Sequence, residues 1–270
     1  MIRLAWLALL PAVLLVVATP ASAADTPVRI VTHGARTQPV VALTFDDGYS
    51  VKNCGKILDI LQRRKVAATF LPYARAVAGS PTFWRRVADA GYPIANHSTT
   101  HPDMTTLTLA EATAEISTAR AIVERATGHT MIRVFRPPYG AWDQTTAQAA
   151  LAAGFPTLLF WEVTDVDTTS ASAAGMIKRA LKGRNGSVVL LHCGPDATPK
   201  ILERIIDGYM ERGFGFVTVP QLLSGKVPAS AFPPAPPPKP RPVKLWIDPD
   251  GRLFSLMTLM AHHRFAARAI

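Results

Sequence analysis

Seven side chains in this sequence are of types that bind metals or move protons, and they fall in closely spaced groups: Asp46 and Asp47, His97 and His101, Arg136, Asp167, and His192. Two imidazoles and one carboxylate with a fourth position left open make a catalytic rather than a structural zinc-type site. Asp47, His97 and His101 can supply those three donors, and histidines four apart face the same way on a helical turn. Water acidified in such a site still needs a base. Asp46 stands beside the ligand, where the chain must bend to aim both carboxylates one way, and Arg136 can keep Asp46 ionised by charge pairing. A leaving atom needs a proton, for which His192 is the candidate, with Asp167 placed to raise its pKa and fix its tautomer. Singly, each group has an ordinary explanation: a solvated turn for Asp-Asp-Gly, a rigid loop for Arg-Pro-Pro, a hydrogen-bonded rim for a histidine after an apolar run. Together they point to metal-assisted hydrolysis.

A fold must collect these residues for that chemistry to exist. Short apolar runs at 40–45, 67–72, 92–96, 133–135, 155–163, 187–191 and 215–219 predict seven strands. Helix-like segments lie between them at 53–65, 80–90, 108–126, 143–153, 172–183 and 197–212, several closed by a glycine such as Gly91, Gly128, Gly154 or Gly213. Such alternation predicts a parallel sheet built of right-handed crossovers. The continuous apolar strands favour a closed or nearly closed β/α barrel over an open doubly wound sheet. On this map every candidate follows a strand: Asp46 and Asp47 the first, His97 and His101 the third, Arg136 and Tyr139 the fourth, Asp165 and Asp167 the fifth, His192 the sixth. Strand C-terminal ends gather on one face of a barrel, the face where active sites are built.

The strings TFDDG (44–48), HSTTH (97–101), RPPYG (136–140), WEVTDVD (161–167) and VLLH (189–192) resemble, in order, the five motifs of the polysaccharide deacetylases, carbohydrate esterase family 4. The resemblance spans roughly residues 36–222. It implies an α/β fold, a distorted (β/α)7-type barrel, with a divalent metal, usually Zn2+, that removes N- or O-acetyl groups from glycans such as peptidoglycan, chitin or xylan. Carried over by position, Asp46 resembles the family's base, Asp47, His97 and His101 its metal ligands, and Arg136 the partner of the base. The backbone amide of Tyr139 resembles its oxyanion donor, and Asp167 with His192 its acid pair.

The fourth motif departs from the family's Asp-x-x-Asp-Trp, since Thr164 and Thr168 stand where the first Asp and the Trp belong. Asp167, rather than Asp165, is read as the functional carboxylate. Trp161 is read as core packing, and Trp84 or Trp142 as a surface for a sugar ring. Two other readings stay open on these residues: a non-catalytic glycan-binding relative that keeps the metal site, and a two-carboxylate glycosidase using Asp46 or Asp47 with Asp167. Cys54 and Cys193 flank Asp46 and His192 in sequence, so if those two act on one acetyl group the cysteines share a rim, and a disulfide is expected.

The 49% hydrophobic and 18% charged composition excludes a disordered, collagen-like or coiled-coil chain. Residues 1–23 combine Arg3, an apolar stretch and Ala21-Ser22-Ala23, which reads as a secretory signal peptide and a secreted, cell-wall-associated protein. Half of the net charge of +10 lies in residues 226–270. A nucleic-acid reader concentrates its cations within the folded domain, so the tail fits an anionic wall polymer or membrane surface instead. Residues 226–243 read as a Pro-rich linker and 244–270 as a basic amphipathic segment, with Leu253, Leu256, Met257 and Met260 at helical spacing. A single catalytic domain acting as a monomer on an acetylated glycan is expected.

Overall fold

The computed structural model describes residues 27–164, 167, 172–232, and the backbone of 245–247 and 253–255. Residues 1–26, which hold the expected signal peptide, Asp165, Thr168, most of the proline run and the far tail lie outside the described residues.

The chain runs β1 (Arg29–Val31), β2 (Val40–Asp47), α1 (Val51–Arg64), β3 (Ala68–Pro72), α2 (Ala74–Gly79), α3 (Pro81–Asp89), α4 (Leu109–Thr127) and β4 (Val134–Phe135). It continues through α5 (Gln144–Ala152), β5 (Thr157–Leu159), β6 (Val163–Thr164), α6 (Ala173–Ala180), β7 (Ser187–His192), α7 (Thr198–Glu211), β8 (Gly215–Phe216) and α8 (Val219–Ser224).

The apolar run of β2 is buried from Val40 to Phe45 because it pairs on both edges. One edge takes β7 in parallel over Val41–Asp46; the other takes β8 at its start and β3 from Leu43 onward. A second parallel sheet has the order β1-β5-β4. Two features link the sheets. Ile94 bridges Phe70 and Asn96 bridges Phe135, and the 157–164 stretch leaves β1 and β4 to pair with β7 through β6. Parallel segments therefore succeed one another around a ring, with β1 and β8 wedged where the strands begin, and the fold is a distorted (β/α)7-type barrel.

The structure departs from the sequence expectations at four places. The single strand expected at 155–163 is two, because its partner changes at Phe160–Glu162: Phe160 N–H donates to the Val31 carbonyl and Glu162 N–H to that of Val188. The run at 92–96 contributes only the two isolated bridges. The strand β1 was not expected, being three residues long with Ile30 49% exposed, too short for any alternation to show. In the tail, Leu245–Ile247 (β9) and Leu253–Ser255 (β10) pair antiparallel, so Leu253 sits in a strand and not on a helix; Leu256, Met257 and Met260 lie outside the described residues.

Packing fixes the strand ends. The buried stripe of α1 (Cys54, Ile57, Leu58, Ile60, Leu61) covers the ring, and Lys65 ends that helix in the left-handed region. A reciprocal capping box, Thr108 with Glu111, starts α4, and Gly128 ends it at φ 76°. Phe45 stacks on Phe70 at 5.3 Å between ring centroids. Each such fully buried side chain is worth about 1.5–3 kcal/mol of transfer free energy, so the strands have little freedom to slide. Their C-terminal ends carry Asp46, Asp47, Arg136 and His192.

Candidate metal centre and active site

Successive residues of an extended strand point to opposite faces. Asp46 ends the regular part of β2 and obeys that rule; Asp47 adopts φ 71°, which turns its carboxylate back toward the same cavity. Asp46 is buried, and Arg136 Nη1 donates to its Oδ1 at 2.5 Å. The guanidinium is fully buried and fixed on every side: Nη1 also reaches Thr44 Oγ1 at 3.0 Å, Nε the Leu159 carbonyl at 3.2 Å and Nη2 the Phe160 carbonyl at 3.3 Å. Burial lowers the guanidinium's pKa, and the Asp46 carboxylate opposes that effect.

His97 and His101 converge on Asp47, with Nε2 to Oδ1 distances of 3.6 and 3.3 Å. The three donor atoms lie within 4.8 Å of one another, and their two-imidazole, one-carboxylate chemistry fits a divalent metal with an open coordination position. His97 Nδ1 lies 2.8 Å from the Arg136 carbonyl; donating its proton there leaves the Nε2 lone pair facing Asp47. The histidines do not share a helical turn. Residues 97–101 are a loop in which Ser98 and His101 take φ 68° and 67°, and this curl brings the imidazole centroids to 4.9 Å. Burial acts to raise the Asp47 pKa, but hydrogen bonds to His101 and His97 outweigh it and hold the carboxyl well below the usual range.

Across the cavity, His192 ends β7 beside Asp46 in register. Asp167 Oδ1 lies 2.6 Å from His192 Nδ1, while its Oδ2 accepts the His192 amide at 2.7 Å and the Thr198 hydroxyl at 2.5 Å. Burial lowers the imidazole's pKa, yet the Asp167 bond and charge, with the charges of Asp46 and Asp47, raise it to about 9. Asp46, Asp47, His97, His101 and His192 all line one cavity of about 420 Å³, walled by Tyr139, Gly140, Trp161, Thr164 and Leu190.

The polysaccharide deacetylase family profile matches residues 33–158. A chitooligosaccharide deacetylase of Bradyrhizobium sp. is 33% identical over 201 residues, covering 67% of this chain and 90% of that one. The chain belongs to the polysaccharide deacetylase family. Among solved structures, the Bc1960 peptidoglycan N-acetylglucosamine deacetylase superposes with a TM-score of 0.69 at 30% identity, covering 73% of this chain and 94% of that one. BA3943 of Bacillus anthracis, described as a carbohydrate esterase family 4 pseudoenzyme, superposes at 0.67 with 27% identity, covering 72% of this chain and 68% of that one.

Measured against this deacetylase fold, all eight residues singled out in the sequence lie at or directly behind the cavity. Tyr139 does so with a left-handed backbone (φ 61°) and its ring 4.6 Å from that of His101. The tryptophans are redistributed. Trp84 is wholly buried under Gly48 and offers no face to a sugar. Trp161, read as core, is half-buried, lines the cavity, lies 5.7 Å from the Arg136 guanidinium and packs so closely on Gly140 that a Cβ there would sit 2.8 Å from the indole. Trp142 is 38% exposed and packs beside Phe160. Cys54 and Cys193 are bridged, their Cα atoms 5.1 Å apart, which ties the first turn of α1 to the residue after His192. Sequence reasoning missed Thr44 and Thr198. Thr44 could have been found from its place two residues before Asp46, on the same strand face; nothing in the sequence marks Thr198, which meets Asp167 only through the tertiary fold.

Proposed function

We propose that the protein is a secreted, zinc-dependent deacetylase of N-acetylated glycans of the peptidoglycan or chitin type. The observation that carries this reading is the convergence on one cavity of three parts: the Asp47–His97–His101 donor set, the Asp46–Arg136 pair and the His192–Asp167 pair. Asp47, His97 and His101 would hold the metal, which when bound polarises the acetyl carbonyl and acidifies the attacking water. Asp46, held in place by the Arg136 guanidinium, takes the proton of that water as its oxygen joins the carbonyl carbon. The Tyr139 amide, set by its left-handed backbone, donates to the oxygen that gains charge. His192 delivers its proton to the sugar nitrogen as the carbon–nitrogen bond breaks, leaving acetate and a free amine. Trp161 supplies an aromatic wall beside the reacting groups. Residues 1–23 would direct export, 36–222 form the catalytic domain, and the basic tail would hold the enzyme to an anionic wall.

Acetate release from N-acetylchitooligosaccharides and from peptidoglycan, before and after chelation and after zinc is restored, tests this. Loss on chelation and recovery with zinc are expected. Full activity in protein shown to be metal-free would refute the metal reading. Zinc and glycan binding without acetate release would instead place the chain with the non-catalytic relatives that the BA3943 structure exemplifies.

A further inference from the structure

The loop that carries both candidate histidines has no ladder or helix of its own, yet it must hold two imidazoles in one arrangement. Two of its residues, Ser98 and His101, sit in the left-handed region, at a cost of roughly 1–2 kcal/mol each. Its backbone amides show what keeps it there. Ser98 N–H donates to Asn96 Oδ1 at 2.9 Å and His101 N–H to Ser98 Oγ at 3.0 Å, both within the loop's own neighbourhood. The two amides between them, Thr99 and Thr100, both donate to Glu115 Oε2 at 2.9 Å. The other carboxylate oxygen accepts the Thr100 hydroxyl at 3.0 Å, and the Glu115 carbonyl accepts that of Thr99 at 2.7 Å.

We infer that Glu115 is a positioning residue for the metal centre, a carboxylate that sets the 97–101 loop and through it the separation of His97 and His101. The inference rests on the reading of Asp47, His97 and His101 as metal ligands. One carboxylate oxygen accepts two consecutive amides while the other accepts the Thr100 hydroxyl, so a single side chain clamps the middle of the loop. Its platform is rigid: α4 buries Ala112, Ile116 and Ala119, and Asn96 Nδ2 donates to the Ile116 carbonyl at 2.8 Å. The loop's carbonyls are held from the other side, since the Ala74 and Arg75 amides of α2 donate to those of Ser98 and Thr99, both at 3.0 Å. Glu115 thus fixes the amide side of a loop whose carbonyl side α2 already fixes.

The test is the zinc affinity of the full-length mature protein, measured with Zn2+ alone against a chelating dye, alongside thermal melting of the metal-free forms. Removing an outer partner of a metal ligand typically costs about 10- to 100-fold in affinity. Glu115→Ala is expected to lose affinity in that range, and Glu115→Gln, whose amide oxygen still accepts both N–H groups, to stay within about threefold of the parent. Ile116→Val is the control, because it trims the same helix by a methylene while leaving the clamp intact. If Glu115→Ala fails to fold, Glu115→Asp, too short to span both amides, takes its place. Parent-like zinc affinity in Glu115→Ala overturns the inference, and so does an equal loss in Ile116→Val. A parent protein that binds no zinc overturns the metal reading itself, and the clamp with it.

Discussion

Replacing Arg136 by Met removes a charge from a place where water cannot substitute for it. The guanidinium side chain is 0% exposed and its partner carboxylate, Asp46, 3%. Breaking a buried pair from one side leaves an uncompensated charge, at about 3–5 kcal/mol. Arg136 also serves Thr44 and the Leu159 and Phe160 carbonyls, and losing those bonds adds about 1 kcal/mol apiece. Arg136→Met should therefore cost at least about 5 kcal/mol, comparable with the whole stability of many domains. In an Asp46→Asn background the charge contribution vanishes and only the carbonyl and hydroxyl contributions remain, about 2–3 kcal/mol. Urea unfolding of the parent, both single variants and the double variant closes the cycle. A coupling energy of about 3–5 kcal/mol, the charge contribution itself, is expected, at or above the top of the range for directly contacting residues. A coupling below about 0.5 kcal/mol would refute the claim that Arg136 and Asp46 act as one directly coupled buried pair.

Five further outcomes follow from the same geometry. Asp47→Ala, His97→Ala and His101→Ala should each lose stoichiometric zinc on dialysis, as read by elemental analysis; retention by any two would break the donor set. Asp46→Asn should keep its zinc yet lose about a hundredfold to ten-thousandfold in turnover, measured by acetate release. His192 has a raised pKa, so its protonated form persists to about pH 9 and activity should decline above that; a dication at Asp47 opposes the carboxylate charges and moves the decline to lower pH. In Asp167→Asn the falling limb should move down by about one to three units, and a limb that does not move removes His192 from the acid role. By linkage, the stability this histidine contributes is complete below about pH 6.5 and disappears as pH rises through about 9, a trend that urea midpoints across that window will show. Cys54→Ser with Cys193→Ser should lower stability by about 2–5 kcal/mol in denaturant melts, and the denatured, unreduced parent should label no thiol; two free thiols there would refute the bridge.

The site was legible in the sequence because its residues follow buried strands. The runs before Asp46 and His192 are long and apolar enough to be recognised, and parallel pairing in register does the rest. Less legible were features that depend on partners distant in the chain. The split of 157–164 into β5 and β6 reflects a change of neighbour, and no residue type announces that. The spacing of His97 and His101 suggested a helical turn, whereas Ser98 and His101 use left-handed backbone held by Glu115, sixteen residues from Thr99. Trp161 reads as core because it sits in an apolar run; only the bend after β5 shows that it faces the cavity.

Among the described residues, five non-glycine positions have positive φ, and four of them, Asp47, Ser98, His101 and Tyr139, surround the candidate metal site. Each would be more comfortable as glycine, and glycine at any of them would remove a ligand, a loop contact or the rim tyrosine. A screen that rewarded heat tolerance alone would therefore be drawn to these positions first and would return hardened, inactive proteins. Directed improvement of this scaffold must hold those four residues constant and seek its gains in the helices on the outer wall, where robustness and turnover do not compete.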